Sequence, residues 1–424
     1  MKFELNYRDG SKTIHIPDQA VVTQLEPLAV PILDAPAEAL DQALAHPLAC
    51  RPLIQCLRAA SPASIAIAVD AAPGAVPLEL ILATLMDHIR GALPGLESAA
   101  VTVVVGAGLH PPGSRSPLRA VMDLQHTAGC TVVVHDADHA PMRTFGTTNR
   151  GTPVMVNAAL GDADFKMIIG QIEPHQFAGF TGGYKEAVIG CAASSCVNHN
   201  YSLMLDENAR VGRITGNPVR EDIDEAGRMI GIDFAVNAVM NRKAEVVAML
   251  AGTPQVVLAH GARICADLYG VVSQERFDIV VASCGGTPSD NCLYRAQKGL
   301  NLASHAVKQG GKILLLAACQ HGIGDDIYFD YVCQFATPKA VLSDFKNLEF
   351  KMGPHKAYLF GRTLVDFDVA VFSDLDPAIM RRCHLRAADP SAIVREWVEG
   401  FATPPRVAVI PYANTTYLHA PWGR

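Results

Sequence analysis

The chain has 424 residues, 50% of them hydrophobic and 18% charged, which is enough apolar material for two buried cores. Its formal net charge of −7 argues against nucleic acid or an anionic membrane surface as a partner. The 11 cysteines are scattered singly, and no signal peptide or membrane-spanning apolar run is recognisable, so we expect a cytoplasmic protein with reduced thiols.

Short apolar runs alternate with longer amphipathic stretches along the chain. The apolar runs predict strands at Ser64–Val69, Ala100–Val105, Thr131–Val134, Val154–Ala158, Lys166–Gly170, Asp278–Ala282, Lys312–Leu316, Asp368–Phe372 and Arg406–Ile410. The amphipathic stretches predict helices at Pro77–Leu93, Glu221–Ile230, Pro254–Leu268, Leu293–Val307, Pro338–Phe345 and Pro390–Glu399. Continuous apolar strands separated by helices are typical of mainly parallel sheets flanked by helices.

We therefore expect an α/β fold of two domains, with the active site in the cleft between them. The domain boundary fits near Tyr269–Arg276, which gives an N-terminal domain of residues 1–270 and a C-terminal domain of residues 276–405. The final residues, 406–424, are a candidate to complete the N-terminal domain. In such folds, ligands bind beyond the carboxyl ends of the strands.

The most informative stretch is Gly170–Met204, in which a glycine-rich loop leads into Lys185. Glycine lets the backbone turn tightly and approach a ligand, and successive backbone N–H groups can bind a phosphate. The lysine amine could contact a phosphate or form a covalent attachment. A Walker loop is excluded because Glu186 follows the lysine.

Three histidines accompany this loop. His175 follows the predicted strand Lys166–Gly170, His110 follows Ala100–Val105, and His199 lies beyond Lys185. Since strand ends gather at one edge of a parallel sheet, we expect His110 and His175 to face each other. Two imidazoles around one substrate suit a reaction that needs a base on one side and an acid on the other.

The order of these motifs resembles the nickel-pincer-nucleotide lactate racemase family, over nearly the whole chain. The matching motifs are GAGLHPP around His110, EPHQFAGFTGGYK ending at Lys185, the Asn198-His199 pair, GGTP at 285–288, NCLYRAQKG at 291–299 and CQHGIG at 319–324. The stretch from Glu173 through Lys185 to His199 is the most specific of these.

The resemblance implies a cofactor and a role for each matching residue. Lys185 would be linked covalently to the nickel-pincer nucleotide, pyridinium-3,5-bisthiocarboxylic acid mononucleotide nickel, and His199 would be the protein ligand of the nickel. His110 and His175 would alternate as base and acid. The other implied contacts are Asp70, Gly182, Gly183 and Tyr294 to the cofactor, and Lys298 to the substrate.

The implied activity is that of an isomerase, a racemase or epimerase of small 2-hydroxy acids. The Cα–H of such an acid is weakly acidic, so removing it as a proton would require an unfavourable carbanion. Transfer of hydride from Cα to an electron-poor pyridinium, while a histidine takes the hydroxyl proton, avoids this carbanion. Return of the hydride to the other face would give the opposite enantiomer. The N-terminal domain would bind the cofactor and the C-terminal domain would close over the substrate. Expected partners are the 2-hydroxy acid and the enzymes that make the cofactor.

The chain departs from the family pattern in one place. Lactate racemases carry an Asp-x-x-Arg-Pro motif whose arginine grips the substrate carboxylate, but here Asp70 is followed by Ala71-Ala72-Pro73-Gly74. Arg295 stands where family members commonly have glutamine, and it shares a helix face with Lys298. We infer that Arg295 replaces the missing clamp, with aliphatic 2-hydroxy acids larger than lactate as candidate substrates. The alternative is a solvated arginine at a helix end.

Three other functions compete with this one. A zinc hydrolase could use His110, His175 and His199 with Glu173, although no HExxH motif is present and Lys185 would have no task. A dinucleotide-dependent dehydrogenase needs GxGxxG, which the sequence after Gly106 does not complete. A non-catalytic cofactor carrier would not need three histidines and Lys298.

Two weaker candidates are His355 and Lys356 in the segment Gly353-Pro354-His355-Lys356. Because Gly-Pro pairs punctuate turns, this segment is interpreted as a loop near the cleft edge of the second domain. A surface role is favoured for both residues, with catalysis as the alternative.

Overall fold

The computed structural model describes residues 1–27, 29–70, 76–110, 129–273 and 275–419. The chain divides into two compact units, one of residues 29–268 and one of residues 1–28 with 269–424. The strands are β1 (Lys2–Tyr7), β2 (Gly10–His15), β3 (Val21–Gln24), β4 (Ile65–Asp70), β5 (Val101–Gly106), β6 (Thr131–Val134), β7 (Met142–Thr147), β8 (Pro153–Asn157), β9 (Phe165–Gln171), β10 (Pro174–His175), β11 (Gly179–Phe180), β12 (Phe234–Met240), β13 (Val246–Gly252), β14 (Gly270–Val272), β15 (Phe277–Ser283), β16 (Val307–Leu316), β17 (Asp368–Phe372), β18 (Arg386–Ala387), β19 (Arg406–Ile410) and β20 (Tyr417–His419).

The helices connect these strands. The α-helices are Pro36–Ala45, Leu53–Ala60, Leu78–Ala92, Ala158–Gly161, Ser194–Ser202, Pro218–Ile230, Pro254–Tyr269, Leu293–Ser304, Asp326–Val332, Pro338–Phe345, Pro354–Asp366, Pro377–Arg382 and Pro390–Glu399. Short 3₁₀ turns lie at Ser98–Ala100 and Leu203–Leu205, and a π-helical turn lies at Glu186–Gly190. No helix within the described ranges is long and apolar enough to cross a membrane.

The unit of residues 29–268 is built on a six-stranded sheet with the order β13-β12-β9-β4-β5-β6. All neighbouring strands are parallel except β12 and β13. One face packs on the helix Leu78–Ala92, whose Ile81, Leu85 and Ile89 recur every four residues and join Ile67 of β4 in one buried cluster. The central strands are thus buried, and their carboxyl ends meet at one edge.

The other unit is built on a wholly parallel sheet with the order β18-β17-β16-β15-β19-β3. The antiparallel hairpin β1–β2 belongs to the same unit, because its Leu5 and Ile14 are buried in one cluster with Trp397 of the helix Pro390–Glu399. Helices including Leu293–Ser304 and Pro354–Asp366 contribute to the cluster on the other face.

The nine predicted strands and six predicted helices are all present, and the predicted fold class is confirmed. The predicted assignment of residues 1–28 and of the terminal strand to the first domain differs from the structure. Arg406–Ile410 pairs with β15 of the second sheet, and β3 pairs with it on its other side. A strand's own apolar pattern shows that it is buried but not which sheet receives it.

The interpretation of Gly353–Lys356 as a surface loop was wrong. Pro354 begins the helix Pro354–Asp366, because proline has the backbone angle of a first helical turn and lacks the N–H that would be unsatisfied there. Gly353 precedes the helix with φ of 91°, a conformation that favours glycine. The side chain of His355 is buried and that of Lys356 is half-buried.

Candidate active site

Three of the predicted site residues follow neighbouring strands of the sheet in the unit of residues 29–268. Strand β4 lies between β9 and β5, and the three strands are parallel. Asp70 ends β4, His110 follows β5, and His175 follows β9 in the short strand β10. Because neighbouring strands are about 4.8 Å apart, the two histidine-bearing segments leave the sheet roughly 10 Å apart with Asp70 between them.

The ring of His175 is oriented by its own loop. Its Nδ1 accepts a hydrogen bond of 3.1 Å from the backbone N–H of Ala178. The ring makes an edge contact with Phe177 at 4.6 Å between centroids, and the ring of Tyr201 lies 6.4 Å away. Since Nδ1 is an acceptor, the neutral imidazole carries its proton on Nε2. Nε2 is therefore the atom that can donate this proton.

The segment that carries His110 packs on the turn after Lys185. The N–H of Gly108 donates to the Gly190 carbonyl at 2.9 Å, and the N–H of His110 donates to the Ala107 carbonyl at 3.1 Å. A Cβ at Gly106 would come within 3.0 Å of the Gly190 backbone, so this close approach requires glycine. The structure thus brings the His110 and Lys185 segments together. Residues 111–128 lie outside the described residues.

The glycine loop before Lys185 has a conformation that only glycine adopts without strain. Gly182 and Gly183 have φ of 80° and 59°, and a Cβ on Gly182 would lie 2.6 Å from a side-chain carbon of Ile172. The N–H of Gly183 donates to Oδ1 of the buried Asn237 at 3.0 Å. Lys185 follows directly, at the start of the π-helical turn Glu186–Gly190. Such turns occur frequently at functional sites.

A buried arginine holds the same loop from the other side. Arg220, on the helix Pro218–Ile230, is fully buried and donates to the carbonyls of Ala178 and Gly182 at 3.2 Å each, and to the carbonyl of Phe180. Its guanidinium lies 3.6 Å from the carboxylate of Asp224. The planar fork of arginine suits several carbonyls at once. The backbone before Lys185 is therefore fixed by side-chain hydrogen bonds.

Sequence reasoning missed Arg220 and Asn237. In the sequence, Arg220 lies in a run of charged residues in the first turns of a helix, a pattern that is typical of a solvated helix start. Asn237 is one polar residue in an otherwise apolar strand, and this signal could have indicated a buried hydrogen-bonding role.

The half-buried Lys185 has acidic surroundings. Burial is the largest influence and lowers the pKa of Lys185, but Tyr201, Glu186 and Asp70 together raise it above its ordinary value. Burial also raises the pKa of Tyr201, so its phenol is neutral near pH 7 and the carboxylates supply the negative charge. The pocket around Lys185 therefore favours a positively charged group.

His199 lies on the helix Ser194–Ser202, two residues before Tyr201. Its Nε2 is 2.9 Å from the carbonyl oxygen of Arg150. Because a carbonyl only accepts, Nε2 is the donor and the neutral ring keeps its lone pair on Nδ1. Histidine ligands of metals are commonly oriented in this way, with the second ring N–H donated to a carbonyl.

A buried carboxylate fixes the loop that supplies this carbonyl. Asp222 is fully buried and accepts hydrogen bonds from the hydroxyls of Thr148 and Thr152 and, at 2.7 Å, from the side-chain amide of Asn200. The two threonines flank the carbonyl that His199 contacts, and Asn200 lies next to His199. Asp222 therefore joins the loop of residues 148–152 to the helix of His199.

The remaining predicted residues lie in the other unit, on the helix Leu293–Ser304. Arg295 is exposed, and its Nη1 is 3.4 Å from the Pro288 carbonyl, while Tyr294 and Lys298 are half-buried. Tyr294 and Lys298 are four residues apart and share one face of the helix. The position of the usual carboxylate-binding arginine, Pro73, lies outside the described residues.

The three histidines do not form a metal site of their own. Among the described residues, which include all three and Glu173, no group of three or more histidine, cysteine, aspartate or glutamate side chains is placed to hold a metal ion. A zinc site made of these histidines would need three converging protein ligands. The arrangement is compatible with a metal that takes one histidine and has its other ligands from elsewhere.

Family models match both halves of the chain. The model described as the lactate racemase N-terminal domain matches residues 7–212, and the model described as the lactate racemase C-terminal domain matches residues 272–411. The lactate racemase of Thermoanaerobacterium thermosaccharolyticum is 28% identical over 305 residues, 70% of this chain and 71% of that protein. The lactate racemase of Lactiplantibacillus plantarum is 28% identical over 320 residues, 74% of each chain.

Solved structures show the same fold. The lactate racemase apoprotein from Thermoanaerobacterium thermosaccharolyticum has a TM-score of 0.89 at 23% identity, covering 99% of this chain and 100% of that chain. A protein from Thermotoga maritima has a TM-score of 0.64 at 15% identity, covering 94% and 100%.

Two units, each built on a mainly parallel sheet flanked by helices, place the chain in the α/β class. The two family models together cover most of the sequence, and both describe domains of lactate racemase. The chain belongs to the lactate racemase family and is an isomerase of the racemase class.

Proposed function

We propose that this protein racemises or epimerises a small 2-hydroxy acid with the nickel-pincer nucleotide attached to Lys185. The observation that carries the proposal is the environment of Lys185. A glycine loop fixed by Arg220 and Asn237 holds the lysine beside two carboxylates. Attachment through the amine would remove the lysine's charge, and the carboxylates would then favour the positive pyridinium ring.

The donor set around His199 fits the nickel of this group. Its Nδ1 has the lone pair, and its Nε2–H is held by the Arg150 carbonyl. Imidazole is a suitable ligand for nickel, and a single protein ligand is sufficient where the cofactor provides the others. When bound, the cofactor would supply an acceptor and donor of hydride for the substrate Cα–H.

The histidines would handle the hydroxyl proton of the substrate. One imidazole removes this proton as the Cα–H bond breaks, and the other returns a proton when the second enantiomer forms. In His175 the atom that holds the transferable proton is Nε2, because Nδ1 accepts from Ala178. Arg295 and Lys298, in the other unit, would bind the substrate carboxylate.

The proposed setting is the cytoplasm, together with the enzymes that make the cofactor. All 11 cysteines are free thiols, which a reducing compartment preserves.

A decisive experiment is intact-mass spectrometry with metal analysis on protein coexpressed with the cofactor-making enzymes. The proposal requires a covalent adduct, racemisation of 2-hydroxy acids and about one nickel per chain, because each chain would supply one histidine ligand. Zinc without an adduct would favour the hydrolase. An adduct with nickel but without turnover of any 2-hydroxy acid would favour a cofactor carrier.

Removing the proposed nickel ligand should release the metal and leave the covalent adduct. We expect His199→Ala to lower the nickel retained after dialysis against a chelator by roughly tenfold or more, since even outer partners of a ligand are worth about 10–100-fold in affinity. His260→Ala, at an exposed histidine of the same unit, is the control. Equal nickel retention in His199→Ala and wild type would contradict the ligand assignment.

Removing the proposed carboxylate clamp should weaken substrate binding. Arg295→Gln, which restores the usual family residue, is expected to raise KM for 2-hydroxy acids and lower kcat/KM by roughly tenfold to 150-fold, because a charged hydrogen bond contributes about 1.5–3 kcal/mol. Pro73→Arg in that background should recover part of the loss. Arg395→Gln, at an exposed arginine of the same unit, is the control. An unchanged KM in steady-state kinetics across a series of 2-hydroxy acids would leave Lys298 as the carboxylate-binding residue.

A further inference from the structure

A lysine that plays no part in the proposed reaction is fixed against the helix of Tyr294 and Lys298. The Nζ of Lys356 donates to Oε1 of Gln297 at 3.0 Å and lies 5.0 Å from the centroid of the Tyr294 ring. A cation over an aromatic face is held electrostatically, and the amide oxygen supplies a second contact. The ammonium group of Lys356 therefore has a defined position on the side of the helix that carries Tyr294.

Lys298 lies on the helix that Lys356 contacts, next to Gln297. It lies one helical turn beyond Tyr294, on the same face. Burial and then the positive charge of Lys298 lower the pKa of Lys356 to about 7, although Cys292 and Asp325 act in the opposite direction. The positive charge of Lys298 thus acts on Lys356.

No acidic side chain neutralises Lys356 in the described part of the chain. No carboxylate there forms an ion pair with Lys356. Asp325, whose charge raises the pKa of Lys356, caps the helix Asp326–Val332 by accepting from the Tyr328 N–H. The neighbouring His355 is buried, and burial followed by the charge of Lys356 keeps its pKa well below the ordinary value, so this ring is neutral. Among the described residues, the ammonium group of Lys356 therefore has an amide oxygen and an aromatic ring as contacts but no carboxylate.

We propose that Lys356 forms a subsite for a second carboxylate, so that the substrate is a 2-hydroxy dicarboxylic acid. This inference rests on the proposed function. A monocarboxylate such as lactate has only the carboxylate that Arg295 and Lys298 would bind, and it offers nothing to Lys356. A second carboxylate on the substrate side chain would give Lys356 a charged hydrogen-bond partner.

The subsite has a pH dependence of definite sign. Lys356 binds an anion only when protonated, so deprotonation above its pKa of about 7 should weaken dicarboxylate binding. Between pH 6 and pH 9 the ratio of the dicarboxylate KM to the monocarboxylate KM should rise, approaching about tenfold per pH unit at the alkaline end. Titration of the catalytic histidines affects the KM of both substrates, so its effect cancels in this ratio. Lys356→Arg, which stays charged, should flatten the profile.

The test uses the nickel-loaded enzyme with 2-hydroxysuccinate and 2-hydroxyglutarate against lactate and 2-hydroxybutyrate. Lys356→Gln should raise KM for the two dicarboxylates by about tenfold or more and leave KM for the monocarboxylates within about twofold, since a charged contact is lost only by the former. Lys351→Gln, at an exposed lysine five residues earlier, is the matched control. Preference of the wild type for the monocarboxylates, or an equal rise in all four KM values, would overturn the subsite.

Calorimetric titration of the purified full chain with succinate separates this inference from the proposed function. Weaker succinate binding in Lys356→Gln than in Lys351→Gln supports the subsite even if no 2-hydroxy acid is racemised. Equal binding in the two variants overturns the subsite even if racemisation and the nickel adduct are both observed.

Discussion

Lys185→Ala should abolish both the covalent adduct and racemisation, because alanine has no amine with which to form the linkage. Lys185→Arg should do the same for a different reason: the guanidinium keeps the positive charge but is protonated and is not a nucleophile. The comparison separates charge from attachment. In the alanine variant Glu186 and Asp70 lose a positive neighbour, so a lower melting temperature is expected there, whereas the arginine variant keeps that charge. Intact mass, activity and thermal unfolding are the measurements.

A matched control for this test is Lys243→Ala, at an exposed lysine in the turn between β12 and β13 of the same unit. It should carry the full adduct and racemise at the wild-type rate. Retention of the adduct mass in either variant of Lys185 would place the attachment elsewhere.

The second large effect is expected at the paired histidines. His110→Ala and His175→Ala should each lower racemisation in both directions by roughly 10²-fold or more, the usual contribution of a positioned acid–base group. Both directions of the reaction should slow, because in each direction one imidazole removes a proton and the other imidazole returns one. Initial rates measured from each pure enantiomer test this expectation.

The same two variants should retain the adduct and the nickel, which distinguishes loss of proton transfer from loss of the cofactor. His139→Ala is the control, because this histidine belongs to the same unit and its side chain is 83% exposed. Wild-type rates in both directions for either variant would make that histidine a structural residue.

The sequence was sufficient to predict the parallel sheets and the strand ends that bear Asp70, His110 and His175. Apolar runs and amphipathic stretches report burial directly, and parallel strands necessarily end at one edge. The sequence did not reveal that β4 lies between β9 and β5, because strand order depends on packing between distant segments. The roles of these residues stay predictions.

The hydrogen bonds that hold the Lys185 loop and the His199 helix could not be predicted from the sequence, for a physical reason. Arg220 and Asp222 lie in the first turns of a helix, where charged residues are ordinarily solvated, but here they are fully buried. Their burial depends on the loops that fold over the helix and offer carbonyls and hydroxyls. Lys356 was likewise placed at the surface, although burial first, and then the charge of Lys298 on another helix, lower its pKa. Tertiary contacts of this kind produce no periodic pattern in the local sequence.

The pairing of β3 with β19 has a consequence for how the protein folds during synthesis. Partners such as Val21 and Arg406 are almost 400 residues apart. At about 5–20 residues per second, β3 leaves the ribosome roughly 20–80 s before its partner exists. The continuous unit of residues 29–268 is complete well within that interval. Strand β3 of the nascent chain therefore waits without its partner strand, as an edge that is open to association with other chains until residues 406–410 emerge.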